Sequence, residues 1–161
     1  MTIKIGDKLP SVTLRQVTPE GPKEISTDEF FRGKRVALFA VPGAFTPACS
    51  QRHLPGYVEK ATDIKAKGVD EVACVAVNDP AVMTAWGKDQ RCEGKVTMLA
   101  DGSGDFARAL DLELDLTKMG LGVRSKRYSM LVDNGVVKSL NVEAQPGQVE
   151  ASGAEAMLRA L

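Results

Sequence analysis

Two short apolar runs with a helical stretch between them constrain this chain more than any other feature. The first, Val36-Ala37-Leu38-Phe39-Ala40-Val41, follows Arg35 and stops at Pro42-Gly43. The second, Val72-Ala73-Cys74-Val75-Ala76-Val77, stops at Asn78-Asp79-Pro80. Runs this short, rich in β-branched and aromatic residues and lacking polar alternation, suit strands covered on both faces. Between them Leu54, Tyr57, Val58, Ala61 and Ile64 recur at helical spacing, and Gly68 ends the pattern. Strand, helix, strand at this separation predicts a βαβ unit with parallel neighbours and a right-handed crossover.

The flanking segments continue in the same style. Asp79-Pro80 opens a helix with Val82, Met83, Ala85 and Trp86 on its apolar side, and Val96 to Leu99 read as a short strand. Ser103 is placed to cap a helix carrying Phe106, Ala107 and Leu110. Tyr128 to Val132 and Val136 to Val142 flank Asn134-Gly135, the signature of a two-residue hairpin turn. Ser152 and Glu155 have capping-box spacing ahead of Ala156, Met157 and Leu158. One parallel unit, a terminal hairpin and surrounding helices predict a mixed-sheet α/β sandwich of three layers. The 161 residues fit one domain spanning 1–161.

Charge and cysteine content narrow the function classes. Lysine plus arginine and aspartate plus glutamate balance at 21 each, and the densest basic stretch is only Arg124, Lys126 and Arg127. That is no footprint for nucleic acid or an anionic membrane. Lys4, Asp7 and Lys8 interrupt any signal-peptide core, and no apolar stretch is long enough to span a bilayer. The expectation is a cytoplasmic protein, or a mature form whose targeting segment was removed. Three scattered cysteines without a CxxC pair fit neither a secreted disulfide scaffold nor a structural zinc site. Gly120-Leu121-Gly122 has no phosphate-binding pattern. No metal or cofactor is expected.

The reactive candidate is Cys49. Thr46 suits an N-cap and Pro47 a first helical position, which puts Cys49 in the first turn. Unpaired N–H groups and the positive dipole end there favour a thiolate, the nucleophilic form. Pro42 and Pro47 limit the loop's freedom, and the Thr46 hydroxyl lies one turn before the sulfur. Pro55 is expected to bend the helix that follows. His53 stands four residues after Cys49; a hydrogen-bonding histidine is expected over half of a two-ligand metal pair. Phe39, Phe45, Phe106 and Trp86 are assigned to core or interface. Cys92, in the polar stretch KDQRCEGKV, reads as an exposed bystander thiol, with glutathionylation or an intermolecular disulfide as the alternative.

The segment PGAFTPAC, with Pro42, Thr46 and Cys49, resembles the PxxxTxxC motif of peroxiredoxins. The longer VPGAFTPACSQRHLPGY is similar to the type II, or peroxiredoxin-5-like, group. So are VNDPAVMTAW, LADGSGDFARAL and RSKRYSMLVDNGVVKSLNVE in the same order, and the resemblance runs from about Ile5 to Leu158. It implies a thioredoxin-like fold with a central mixed sheet, helices on both faces and an extra N-terminal hairpin. It also implies reduction of hydrogen peroxide and alkyl hydroperoxides through a Cys49 sulfenic acid. Thr46 then matches the hydroxyl that contacts peroxide, and Pro42 the residue shielding the pocket. Arg127 matches the arginine that stabilises thiolate and transition state, with Arg124 as the competing assignment.

Plant-type members place a resolving cysteine 25 positions after the peroxidatic one, which is the interval 74 − 49 here. Human-type members use a cysteine near the C-terminus, where this chain has Ala151 and Ser152. A Cys49–Cys74 disulfide needs Cα atoms within roughly 4.4–6.8 Å and therefore opening of the first turn. Resolution by Cys74 or by an external thiol stays open at this point. The resemblance implies glutaredoxin with glutathione, or thioredoxin, as electron donor, and a homodimer joined through loops near the reactive cysteine. Two rivals share the fold: a redox sensor that uses Cys49 oxidation as a signal, and a thiol-disulfide oxidoreductase, which the missing CxxC disfavours.

Overall fold

A computed structural model describes residues 1–161. The chain opens with an antiparallel hairpin of β1 (Thr13–Thr18) and β2 (Gly21–Ser26), then a short helix α1 (Thr27–Phe31) whose N-cap Ser26 accepts from the Glu29 N–H. The first apolar run is β3 (Arg35–Val41), followed after a loop by a widened π turn at Cys49–His53 and the helix α2 (Leu54–Ala66). The second run is β4 (Glu71–Ala76), followed by α3 (Pro80–Asp89), β5 (Thr97–Ala100) and α4 (Asp105–Leu110). A separate ribbon of β6 (Glu113–Leu116) and β7 (Gly122–Ser125) precedes the hairpin of β8 (Tyr128–Asp133) and β9 (Val136–Val142), and α5 (Ala154–Ala160) ends the chain.

The main sheet runs β2-β1-β5-β4-β3-β8-β9. β3 is parallel to β4 and β4 to β5, so there are two crossover units where the sequence reading counted one. The β1–β5 and β3–β8 pairs are antiparallel, which makes the sheet mixed. Alternate residues of β3 enter opposite cores. Ala37, Phe39 and Val41 pack with α2, α3 and α5, while Val36, Leu38 and Ala40 pack with α1 and α4. Both faces are therefore covered, which is why the central strands read as unbroken apolar runs. This is the thioredoxin-like three-layer arrangement, with the N-terminal hairpin added at one edge.

Local signals held where their chemistry was self-contained. Asn134 and Gly135 have φ of 48° and 80°, the left-handed pair that a tight hairpin turn requires. Asp79 caps α3 by accepting from the Val82 N–H, with Pro80 at the helix start. Two expected caps are replaced. The carboxylate of Asp101, not Ser103, receives the Phe106 and Ala107 N–H groups at 3.0 Å each. A full carboxylate serves two orphan donors where a hydroxyl serves one. At α5 the Ser152–Glu155 box does not form, because the Ser152 hydroxyl donates to Glu143 and the helix begins after Gly153.

Pro55 stands just after the π turn, at the start of α2. It has no N–H to give the Gln51 carbonyl, and the chain widens by one residue so that the Leu54 N–H reaches the Cys49 carbonyl instead. Gly120-Leu121-Gly122 links β6 to β7 and is not a free loop.

Candidate active site at the start of the π turn

The loop from Pro42 to Ala48 carries the chain from the end of β3 to Cys49. It is anchored by the Ala44 N–H, which donates to Asn78 Oδ1 at 2.9 Å. Pro42 is buried. Phe45 adopts a φ of 65°, unusual for a side chain of its size, and turns outward with 52% of its surface exposed. Of the four aromatics assigned to core or interface, Phe39, Phe106 and Trp86 are buried, and Phe45 is not part of the core. Helical backbone starts at Pro47, and the Ser50 N–H bonds to the Thr46 carbonyl at 2.9 Å. Thr46 thus stands at the helix start, but its hydroxyl donates back to the Gly43 carbonyl at 2.6 Å rather than capping. That leaves the Thr46 oxygen lone pairs available as acceptors. A Cβ at Gly43 would lie 3.1 Å from Arg124 Nη1 and 3.2 Å from Thr46 Cγ2, so any side chain there must displace one of them by a few tenths of an ångström.

Arg127 reaches the sulfur from across the sheet. It lies one residue before the Tyr128–Ala40 pair of the antiparallel β8–β3 ladder, level with the point where β3 gives way to the loop. Its Nη2 donates to Cys49 Sγ at 3.0 Å, its Nη1 to His53 Nδ1 at 2.8 Å and its Nε to the Pro146 carbonyl at 2.9 Å. All three nitrogens are engaged, and the residue is only 3% exposed. No carboxylate forms a salt bridge with this guanidinium. A buried cation is costly unless it is hydrogen-bonded, and the Cys49 sulfur is one of the three acceptors that the geometry supplies. Arg124 comes against Gly43 and donates from Nε to the Leu121 carbonyl at 2.8 Å; it is Arg127 that bonds the sulfur. Arg124 belongs to β7, not to a loop.

The direction of the Arg127 bond defines the state of His53. A guanidinium only donates, so Nδ1 accepts and the ring proton is on Nε2, which donates to the Ser152 carbonyl at 3.0 Å. Burial, with Arg127 adding to it, pushes the imidazole down to about 3. Both ring nitrogens are taken, which is the hydrogen-bonding role expected of His53. Tyr57 donates to the same Ser152 carbonyl at 2.8 Å and stacks on Phe39 with ring centroids 3.9 Å apart. Trp86 donates from Nε1 to Ser50 Oγ at 2.9 Å, tying α3 to the turn.

The other two cysteines are buried and unpaired. Cys74 lies mid-strand between Phe39 and Met98, and burial pushes its thiol well above the ordinary range. Cys92 is 2% exposed, not the surface thiol expected from its polar neighbours, and burial pushes it up to about 12. Arg91 has a φ of 56°, so the chain reverses there and turns Cys92 inward.

Sequence reasoning missed the segment between Glu143 and Ser152. One Glu143 oxygen, Oε2, accepts from the Glu150 N–H at 2.8 Å, the Ser152 N–H at 2.7 Å and the Ser152 hydroxyl at 2.6 Å. Burial works against this carboxylate, but the Ser152 hydroxyl and the backbone N–H groups outweigh it and hold Glu143 below its ordinary value. The segment touches the site through main-chain carbonyls, which leave no side-chain pattern to read.

The chain matches the Redoxin family over residues 4–158. It is 49% identical over 164 residues to the chloroplastic Peroxiredoxin-2E of Arabidopsis thaliana, covering 99% of this chain and 70% of that protein. It is 47% identical over 160 residues to Peroxiredoxin-2C of Oryza sativa subsp. japonica, covering 99% of this chain and 98% of that protein. Among solved structures, reduced Prx3 from Vibrio vulnificus in complex with hydrogen peroxide superposes with a TM-score of 0.93 at 53% identity, covering 99% of each chain.

Proposed function

Since the chain belongs to the Redoxin family and is a thiol peroxidase of the type II peroxiredoxin group, we propose that Cys49 is its peroxidatic sulfur. The observation that carries the assignment is the 3.0 Å bond from Arg127 Nη2 to Cys49 Sγ, made by a buried guanidinium with no carboxylate partner. In the proposed step the thiolate attacks one peroxide oxygen. The S–O bond forms as the O–O bond breaks, the peroxide's proton goes to the second oxygen, which leaves as water or alcohol, and the Cys49 sulfenate takes up a proton from solvent to become the sulfenic acid. Arg127 stabilises the charge that moves from sulfur to the leaving oxygen. The Thr46 hydroxyl accepts from the bound hydroperoxide, and Pro42 shields the site from water.

The proposal extends to the return half of the cycle. An external thiol attacks the sulfenic sulfur, releasing water and leaving a mixed disulfide that a second thiol reduces. The burial and raised thiol of Cys74 favour this route over a Cys49–Cys74 disulfide, which requires the π turn to open. Glutaredoxin with glutathione, or thioredoxin, is the proposed donor, and a cytoplasmic setting belongs to the same proposal. A homodimer through the loops beside Cys49 is supported by Phe45, Met119 and Val123, which are 52%, 71% and 50% exposed. The Gly43–Arg124 approach brings the loop that bears Phe45 and the ribbon that bears Val123 to one end of the molecule.

The test is mass analysis with peptide mapping after one equivalent of hydrogen peroxide is added to the reduced protein without donor. Oxygen addition at Cys49, followed by multiple turnovers once a donor is supplied, is the expected result. Oxidation confined to Cys74 or Cys92 would end the assignment, and oxidation of Cys49 without turnover would leave a sensor.

A further inference from the structure

We propose that Glu143 is a positioning residue for peroxide reduction: its carboxylate closes the segment 143–152 into a strap that sets the His53 tautomer and, through it, Arg127. The inference rests on Cys49 as the reacting sulfur. Glu143 touches neither sulfur nor guanidinium with its side chain, yet the segment it closes meets His53 through the Ser152 carbonyl and Arg127 through the Pro146 carbonyl.

The strap begins and ends on the site. The Glu143 N–H donates to the Arg127 carbonyl at 2.9 Å, so the strap leaves from the residue that bonds the sulfur. Nine residues on, the Glu143 carboxylate receives both the N–H and the hydroxyl of Ser152. The loop so closed offers three carbonyls to side chains, two of them in the site. Pro146 accepts from Arg127 Nε, Gly147 from Arg52 at 2.5 Å, and Ser152 from both His53 Nε2 and Tyr57. Three donors on one carboxylate oxygen form a charge-assisted clamp, stronger than neutral bonds of the same geometry.

The consequence runs through the imidazole. With the Ser152 carbonyl in place, the Nε2 proton has an acceptor and Nδ1 is bare towards Arg127. Without it, the Nε2 proton is left buried with no acceptor, and the Arg127 bond alone holds the ring in the Nε2–H form. Where the proton shifts, the Nδ1–H form turns a donor against the Arg127 Nη1 donor, and the guanidinium must move. Since Nη1 and Nη2 belong to one rigid plane, that movement also takes Nη2 off Cys49. Loss of the Pro146 carbonyl from its place releases Nε in the same direction.

His53 is the chain's one histidine, so 15N labelling of histidine reads this ring alone. In the wild-type protein at neutral pH the neutral Nε2–H tautomer is expected, with rapid oxidation of Cys49 by hydrogen peroxide followed through Trp86 fluorescence. Glu143→Ala is expected to give a tautomer mixture and a peroxide rate constant lower by at least about tenfold. Glu143→Gln, which keeps one amide acceptor, is expected between the two on both readouts. Circular dichroism checks that each variant is folded, and Glu143→Gln carries the test if Glu143→Ala is not. A folded variant that keeps the wild-type tautomer overturns the proposal, whatever its rate, and so does a shifted tautomer with the rate unchanged. Wild-type Cys49 that fails to react with peroxide overturns the site assignment itself, before any variant is made.

Discussion

Arg127 donates to His53 Nδ1 at 2.8 Å, and because a guanidinium has nothing to accept with, that bond excludes a proton from the same nitrogen. His53 is consequently neutral in the folded protein, with its imidazole at about 3 against an ordinary 6.5. The unfolded chain takes up this proton below pH 6.5 while the folded one does not, so stability falls as pH drops from 6.5 towards 3. Urea denaturation at pH 7, 5.5 and 4.5 is expected to show that loss, and His53→Gln, with no such proton to take up, is expected to show a shallower one. Equal slopes for the two proteins would mean that His53 is not held neutral.

Arg127 has three acceptors arranged around one plane, and a lysine ammonium in its place reaches one of them at most. Arg127→Lys is therefore expected to lower the rate constant for peroxide by roughly 100-fold or more, in the range of a lost transition-state donor. Stopped-flow oxidation of Cys49 measures it, and a lysine variant with near-native rate would show that charge alone suffices.

Cys74 and Cys92 are buried with raised thiols, while Cys49 sits on a guanidinium. Limited iodoacetamide at neutral pH is expected to label Cys49 alone, with the other two reacting only in denaturant. The double variant Cys74→Ala, Cys92→Ala is expected to turn over hydrogen peroxide with an external thiol donor within about threefold of wild type. A large loss of turnover in that variant would return Cys74 to the resolving role.

Gly43 faces Arg124 on one side and Thr46 on the other, each within 3.2 Å of where a Cβ would stand. Gly43→Ala must push one of them away, and Thr46 is tied by its hydroxyl to the Gly43 carbonyl itself. The expected result is a fall in peroxide rate of about tenfold with a melting temperature changed by only a few degrees. An unchanged rate would show that the loop gives way on the Arg124 side instead.

Asp101 caps α4 from outside the helix by taking two of its N–H groups at 3.0 Å. Asp101→Ala is expected to lower stability by about 1–2 kcal/mol, the range for a lost cap, in thermal or urea unfolding. Ser103→Ala is expected to change it little.

These residues also mark how far the sequence could be read. The central strands were legible because both their faces are covered, and continuous apolar runs have few other uses. The helix start near Cys49 was legible because Thr46 and Pro47 are local markers of where helical backbone begins. The ribbon of β6 and β7 was not, since it pairs only with itself and just one of its residues, Ser125, is buried. The cap of α4 was misread because its acceptor lies five residues before the first donor, outside local capping distance. Cys92 was misplaced because burial there depends on the backbone reversal at Arg91, not on neighbouring polarity. Glu143 acts by gathering main-chain groups across nine residues, and that relationship exists only in three dimensions.

The π turn has a consequence for how the sulfur and the helix are indexed to each other. α2 is phased by Tyr57, Ala61 and Ile64, which must face the sheet. Each residue advances a helix by about 100°, so the extra residue between Cys49 and Leu54 offsets the sulfur from that face by roughly that angle. Deleting one residue from the turn would leave α2 seated and carry the sulfur away from Arg127. The widened turn acts as a vernier, by which a helix whose rotation is dictated by its core can still aim its first side chain at a partner on another strand.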